Sequence, residues 1–149
     1  MPIHAYAAHQ PHQPLEPFTY DPGSLGANEI EIEVTHCGLC HSDIHILDGD
    51  WGNHFPAVPG HEVVGLVRAV GDQVTDVKVG QRVGVGWQAG SCLQCEWCLS
   101  GQEQLCPKSV ATCQGRFGGF ADALRVDSRF AHPIPDALDS QNAAPIRSV

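Results

Sequence analysis

Cys92, Cys95, Cys98 and Cys106 form C-x2-C-x2-C-x7-C, four of the chain's seven cysteines within fifteen residues. Thiolates at that spacing, in a segment broken by Gly90, Gly101 and Pro107, can converge on one tetrahedral cation without help from distant sequence. Zn²⁺ takes four sulfurs at about 2.3 Å in a closed structural site that keeps no water to react. The cluster therefore implies a metal-pinned lobe over about residues 90–107, not a reaction centre. Two other uses of these cysteines compete. Disulfides suit an exported domain, but residues 1–12 have no apolar core behind a basic start, and seven is an odd count. An iron–sulfur cluster shares the Cys106-Pro107 ending, yet the last gap is seven and not three, and Glu96, Gln102 and Glu103 make the loop polar.

A second group is dense in ligands and proton carriers. Cys37-Gly-Leu-Cys40-His-Ser42-Asp43-Ile-His45 is followed about twenty residues later by Gly60-His61-Glu62. Cys40, His61 and Glu62 have the ligand types of an open, catalytic zinc site: sulfur, imidazole and carboxylate. Asp43 suits the far nitrogen of a ligating histidine, fixing its tautomer. Ser42 and His45 could pass a proton to water. Each residue also has an ordinary reading, Cys37 as buried packing and Ser42 as a helix cap. His61 and Glu62 are neighbours at a strand start, where successive side chains are expected to diverge.

The elements that must position these groups are mostly strands. Residues 29–35 (E-I-E-I-E-V-T) alternate charged and apolar, the pattern of a half-buried strand with one wet face. Residues 3–8, 62–70, 81–87 and 120–126 are further strand candidates. Helix is expected only over about 42–47 and over 141–146, the latter capped by Asp139. Many short strands punctuated by sixteen glycines and eleven prolines predict a mainly β fold, a small barrel or partly open sandwich. There is no G-x-G-x-x-G, and no βαβ alternation to carry one.

Length and charge narrow the function. At 149 residues the chain can bury one core but not two large domains. A formal charge of −9, with eight Lys and Arg, repels phosphate backbones, so nucleic acid and anionic membranes are excluded as partners. No apolar run reaches membrane-spanning length; the best, residues 63–70, is interrupted by Gly65 and Arg68. Free cysteines without an export signal point to a cytoplasmic location.

The linked motifs C-G-x-C-H-S-D-x-H (37–45), V-P-G-H-E (58–62), A-V-G-D-x-V (69–74) and the four-cysteine loop resemble those of the medium-chain, zinc-dependent alcohol dehydrogenases, in particular the cinnamyl-alcohol-dehydrogenase-like branch. The similarity runs from about residue 3 to about residue 145. It implies a GroES-like, partly open β-barrel over residues 1–149, the catalytic domain of such an enzyme, with the Rossmann cofactor domain absent from this chain. It implies Cys40 and His61 as catalytic zinc ligands with Glu62 beside the metal, Ser42 and His45 as proton relay, Asp43 as partner of His61, and Cys92, Cys95, Cys98 and Cys106 around structural zinc. Trp51 and Trp87 fall near where that branch lines its substrate pocket. The implied reaction interconverts an alcohol and an aldehyde, with NAD(P), more specifically NADP, carrying the hydride; the assembly leaves room for a homodimer. Ser148 stands where the family has a third, cysteine ligand, so the expectation is one firmly held zinc, an incomplete catalytic site and no activity from residues 1–149 by themselves. The alternative is a free-standing, zinc-stabilised binding module without catalysis.

Overall fold

The computed structural model describes residues 1–52 and 54–145. Its centre is a five-stranded sheet in the order β8-β3-β4-β5-β9. The strands are β3 (Glu29–Gly38), β4 (Glu62–Val70), β5 (Arg82–Val85), β8 (Ala123–Asp127) and β9 (His132–Pro133), and all four of its pairings are antiparallel. A hairpin of β1 (Ile3–Ala7) and β2 (Glu16–Tyr20) and a short pair, β6 (Gln88–Gly90) with β7 (Val110–Ala111), complete a mainly β, partly open architecture. Among the described residues the three α-helices, α1 (His41–Asp48), α2 (Glu96–Leu99) and α3 (Ser140–Ala143), are all short.

The sheet's inner face explains the strand sequences. Ile30 and Ile32 of β3, Val63 and Val67 of β4, Val83 and Val85 of β5, and Leu124 and Val126 of β8 form one buried cluster. Each such side chain contributes about 1.5–3 kcal/mol when fully buried. The outer face of β3 is drier than its charged letters suggest. Glu31 is only 9% exposed, clamped by Arg68 Nε at 2.7 Å and Arg125 Nε at 2.8 Å from the flanking strands. Those guanidiniums outweigh the opposing effect of burial and hold its carboxyl below the usual range.

The expected strands and the Asp139 cap are present; the Asp139 carboxylate accepts the Asn142 N–H at 2.8 Å. β2 escapes a pattern search because Pro17 breaks its alternation, and it forms by pairing with β1 while Phe18 and Tyr20 pack on Phe117. Ser42 lies inside α1 instead of capping it: Cys40 is the cap residue, and Asp43 Oδ2 reaches back to accept the Cys40 N–H at 2.9 Å. Residues 146–149, with Ser148 and the end of the expected C-terminal helix, lie outside the described residues. No helix among the described residues is long and apolar enough to cross a membrane.

Candidate functional site

The four-cysteine segment folds between β6 and β7, with α2 and a short 3-10 turn over Glu103–Leu105 inside it. Three of its large apolar side chains point outward, Leu99 being 77% exposed, Leu105 49% and Trp97 38%, while Leu93 is half-buried against the main core. The lobe has sulfur where a core would be. Cys92 Sγ lies 3.9 Å from Cys98 Sγ and 3.5 Å from Cys106 Sγ, and Cys95 Sγ lies 3.5 Å from Cys98 Sγ. Four sulfurs at about 2.3 Å from one tetrahedral Zn²⁺ would be about 3.8 Å apart, so the cage fits a single ion. A disulfide needs about 2.05 Å, and an iron–sulfur cube would spread its cysteines over separate irons. The backbone N–H groups of Cys92 (3.5 Å) and Lys108 (3.3 Å) point at Cys106 Sγ and suit a thiolate there.

The second site is assembled from two chain segments. Cys40, at the start of α1, meets His61 and Glu62, at the start of β4, with their ligand atoms all within 4.8 Å of one another. The divergence expected of neighbouring residues does not occur. His61 precedes the strand, which begins at Glu62, and the chain turns just before it at Gly60, whose φ is +103°. Only glycine suits that position, because a Cβ there would also meet Phe120 N at 2.7 Å and Cys37 Sγ at 2.9 Å. Glu62 pairs across the sheet with Gly38, and its carboxylate fills the space that a residue-38 side chain would occupy: a Cβ there would lie 1.9 Å from Glu62 Oε2 and 2.9 Å from Glu62 Cβ. Gly38→Ala is therefore expected to push Glu62 out of the site. Metal analysis should show zinc lost from the Cys40 site and retained in the cysteine lobe.

Asp43 organises this site. It is fully buried, and its oxygens accept the Cys40 N–H at 2.9 Å, the Gly60 N–H at 2.8 Å and the His61 Nδ1–H at 3.2 Å. Burial raises its pKa, but His61 and those two N–H groups outweigh burial and keep the carboxyl below its ordinary range. An ionised Asp43 holds the His61 proton on Nδ1 and leaves Nε2 to ligate. Burial disfavours charge on His61, yet Asp43, together with Cys113, pushes it up to about 10. A metal ion at Nε2 must therefore displace a proton, so occupancy falls as pH falls. The Ser42 N–H and then its side chain hold the Cys40 thiol below its ordinary value, preparing a thiolate. Cys37 is the opposite case: burial pushes it up to about 12, and it remains a packing thiol.

Ser42 Oγ lies 3.7 Å from Cys40 Sγ, and His45 follows one helical turn later at the surface. No direct Ser42–His45 hydrogen bond is among the described contacts. His45 Nδ1 is 2.7 Å from Asp50 Oδ2, which sequence reasoning missed. A helix stop at Gly49 brings Asp50 back over the last turn, and an acid just beyond a helix-ending glycine was the available signal. Trp51 stacks on His45 with centroids 5.1 Å apart, and Trp87 meets both Trp51 (5.7 Å) and His61 (5.0 Å) edge-on. A cleft of about 500 Å³ runs past Trp87, lined also by His54, Val110 and Gln114. Cys113 was also missed. Its Sγ lies 3.7 Å from His61 Nδ1 in a fully buried position, and no local motif announces a residue 52 positions away.

Residues 26–136 match the family model for the alcohol dehydrogenase GroES-like domain. The chain is 48% identical over 145 residues to aldehyde reductase AdhA of Synechocystis, covering 97% of this chain and 43% of that protein. It is 44% identical over 149 residues to a probable cinnamyl alcohol dehydrogenase of Eucalyptus gunnii, covering 95% and 42%. A cinnamyl alcohol dehydrogenase from Sorghum bicolor superposes with a TM-score of 0.92 at 38% identity, over 99% of this chain and 44% of that one. A Helicobacter pylori counterpart complexed with NADP(H) gives 0.93 at 29% identity, over 99% and 45%. The chain thus spans less than half the length of these relatives.

Proposed function

The chain belongs to the alcohol dehydrogenase GroES-like domain family, and from that premise we propose that it is the catalytic portion of a zinc-dependent alcohol dehydrogenase or aldehyde reductase. The observation that carries this reading is the convergence of Cys40, His61 and Glu62 around an imidazole already oriented by a buried carboxylate. A binding module stabilised by the cysteine lobe has no use for that arrangement. Three protein ligands of sulfur, imidazole and carboxylate type suit an open zinc site. Zinc bound there supplies Lewis acidity toward the oxygen of a small alcohol or aldehyde.

The remaining roles fall to the chain's own groups. Cys40, His61 and Glu62 hold the ion, and Asp43 fixes His61. The Ser42 hydroxyl sits beside Cys40, where it can take the substrate's hydroxyl proton. His45, at the surface with its Nδ1–H held by Asp50, passes that proton to water. Trp51 and Trp87 shape an aromatic wall suited to a flat, apolar substrate. The nicotinamide site is proposed to lie outside residues 1–149, because every sheet pairing among the described residues is antiparallel. NADP is the proposed hydride carrier, as in the Helicobacter pylori relative complexed with NADP(H). Seven free thiols suit a cytoplasmic setting.

The test is aldehyde reduction by the polypeptide that carries this chain, followed as NADPH oxidation with cinnamaldehyde. His61→Ala should lower kcat/KM by about 10³-fold or more, several kcal/mol of lost Lewis-acid stabilisation. Undiminished turnover in that variant would refute the assignment.

A further inference from the structure

His41 and His45 stand four residues apart on α1, so both rings project from one side of the helix. Their centroids are 5.0 Å apart with an interplanar angle of 63°. Two imidazoles ligating one ion at metal–nitrogen distances of about 2.0–2.1 Å have centroids about 4.5 Å apart at a right angle and about 5.2 Å apart at a tetrahedral angle. The observed separation falls between the two. Paired histidines at i and i+4 are a known helical chelate.

The surroundings favour a cation. His45 Nδ1 is taken by Asp50 Oδ2 at 2.7 Å, the carboxylate arrangement that fixes the tautomer of a metal-ligating histidine and leaves Nε2 free. Trp51 stacks on the same ring and restricts its rotation. His41 is exposed, and among the described contacts its ring meets only His45. The chain's formal charge is −9.

We propose that His41 and His45 form a surface chelate for one divalent transition-metal ion, distinct from the Cys40 site and the cysteine lobe. On the relay reading given above, that ion takes the lone pair through which His45 accepts a proton, so it inhibits turnover. Its binding does not depend on that reading.

Ni²⁺, an imidazole-preferring ion, is the probe. Tag-free, zinc-loaded protein is titrated calorimetrically while released zinc is measured. The expected result is one Ni²⁺ per chain with no zinc released, and binding weakened at least tenfold in both His41→Ala and His45→Ala. His36→Ala, a surface control on β3, should leave it unchanged. Equal affinity in His41→Ala, binding only above about 1 mM, or nickel uptake matched by zinc release would each overturn the proposal. Loss of aldehyde reduction in His61→Ala with this nickel site intact would separate the two assignments.

Discussion

Cys106→Ser is expected to strip zinc from the cysteine lobe and unfold that lobe. The substitution removes a buried sulfur that faces Cys92 Sγ at 3.5 Å and receives two backbone N–H groups. The lobe has little apolar packing to fall back on: Leu99, Leu105 and Trp97 are turned outward, and Leu93 alone of its large apolar side chains packs on the main core. In small zinc domains the metal's binding free energy, on the order of 10 kcal/mol or more, is folding free energy. Amide exchange should therefore rise across residues 90–107, while β3, β4 and β8 stay protected by their own core. Zinc should fall by one per chain. A variant that keeps stoichiometric zinc and a protected lobe would contradict the closed-site assignment.

Asp43→Ala should have the second-largest effect and a different signature. It leaves the Cys40 and Gly60 N–H groups and the His61 Nδ1–H without their shared acceptor. Removing one partner from a buried charged network costs about 3–5 kcal/mol, equivalent to a fall in Tm of roughly 10 °C for a domain of this size. The Cys40 site should lose its metal, because His61 is no longer held in one tautomer. Asp43→Asn keeps the shape but places an amide where N–H groups converge; it should weaken metal binding by about 10- to 100-fold. Unchanged melting and metal content in Asp43→Ala would remove Asp43 from its organising role.

What the sequence makes legible here is local. The four cysteines lie on one loop, and the segments 37–45 and 58–62 each place their residues within a single turn or strand end. Contacts made by tertiary folding were hidden. Cys113 reaches His61 across 52 positions, and nothing in A-T-C-Q distinguishes it from packing. Asp50 was lost because helix reasoning stopped at the helix end, whereas the turn after Gly49 carries the chain back. Glu62 was expected to point away from His61 by strand alternation, a rule that does not apply across the residue where the strand begins. Its convergence places a third candidate ligand atom beside those of residues 40 and 61. The same limit explains Glu31, read as a wet charge and found clamped between two arginines from other strands.

That third ligand changes the expected metal content, because a site with Cys40, His61 and Glu62 in place is complete enough to hold zinc in exchange with solution. Zinc per chain, measured before and after mild chelation in the wild type and in His61→Ala, tests this directly. The expected values are about two zincs in the wild type, one removed readily by chelator and one retained, and about one in His61→Ala, resistant to chelation. A wild type with a single zinc, unaltered by His61→Ala, would contradict the account.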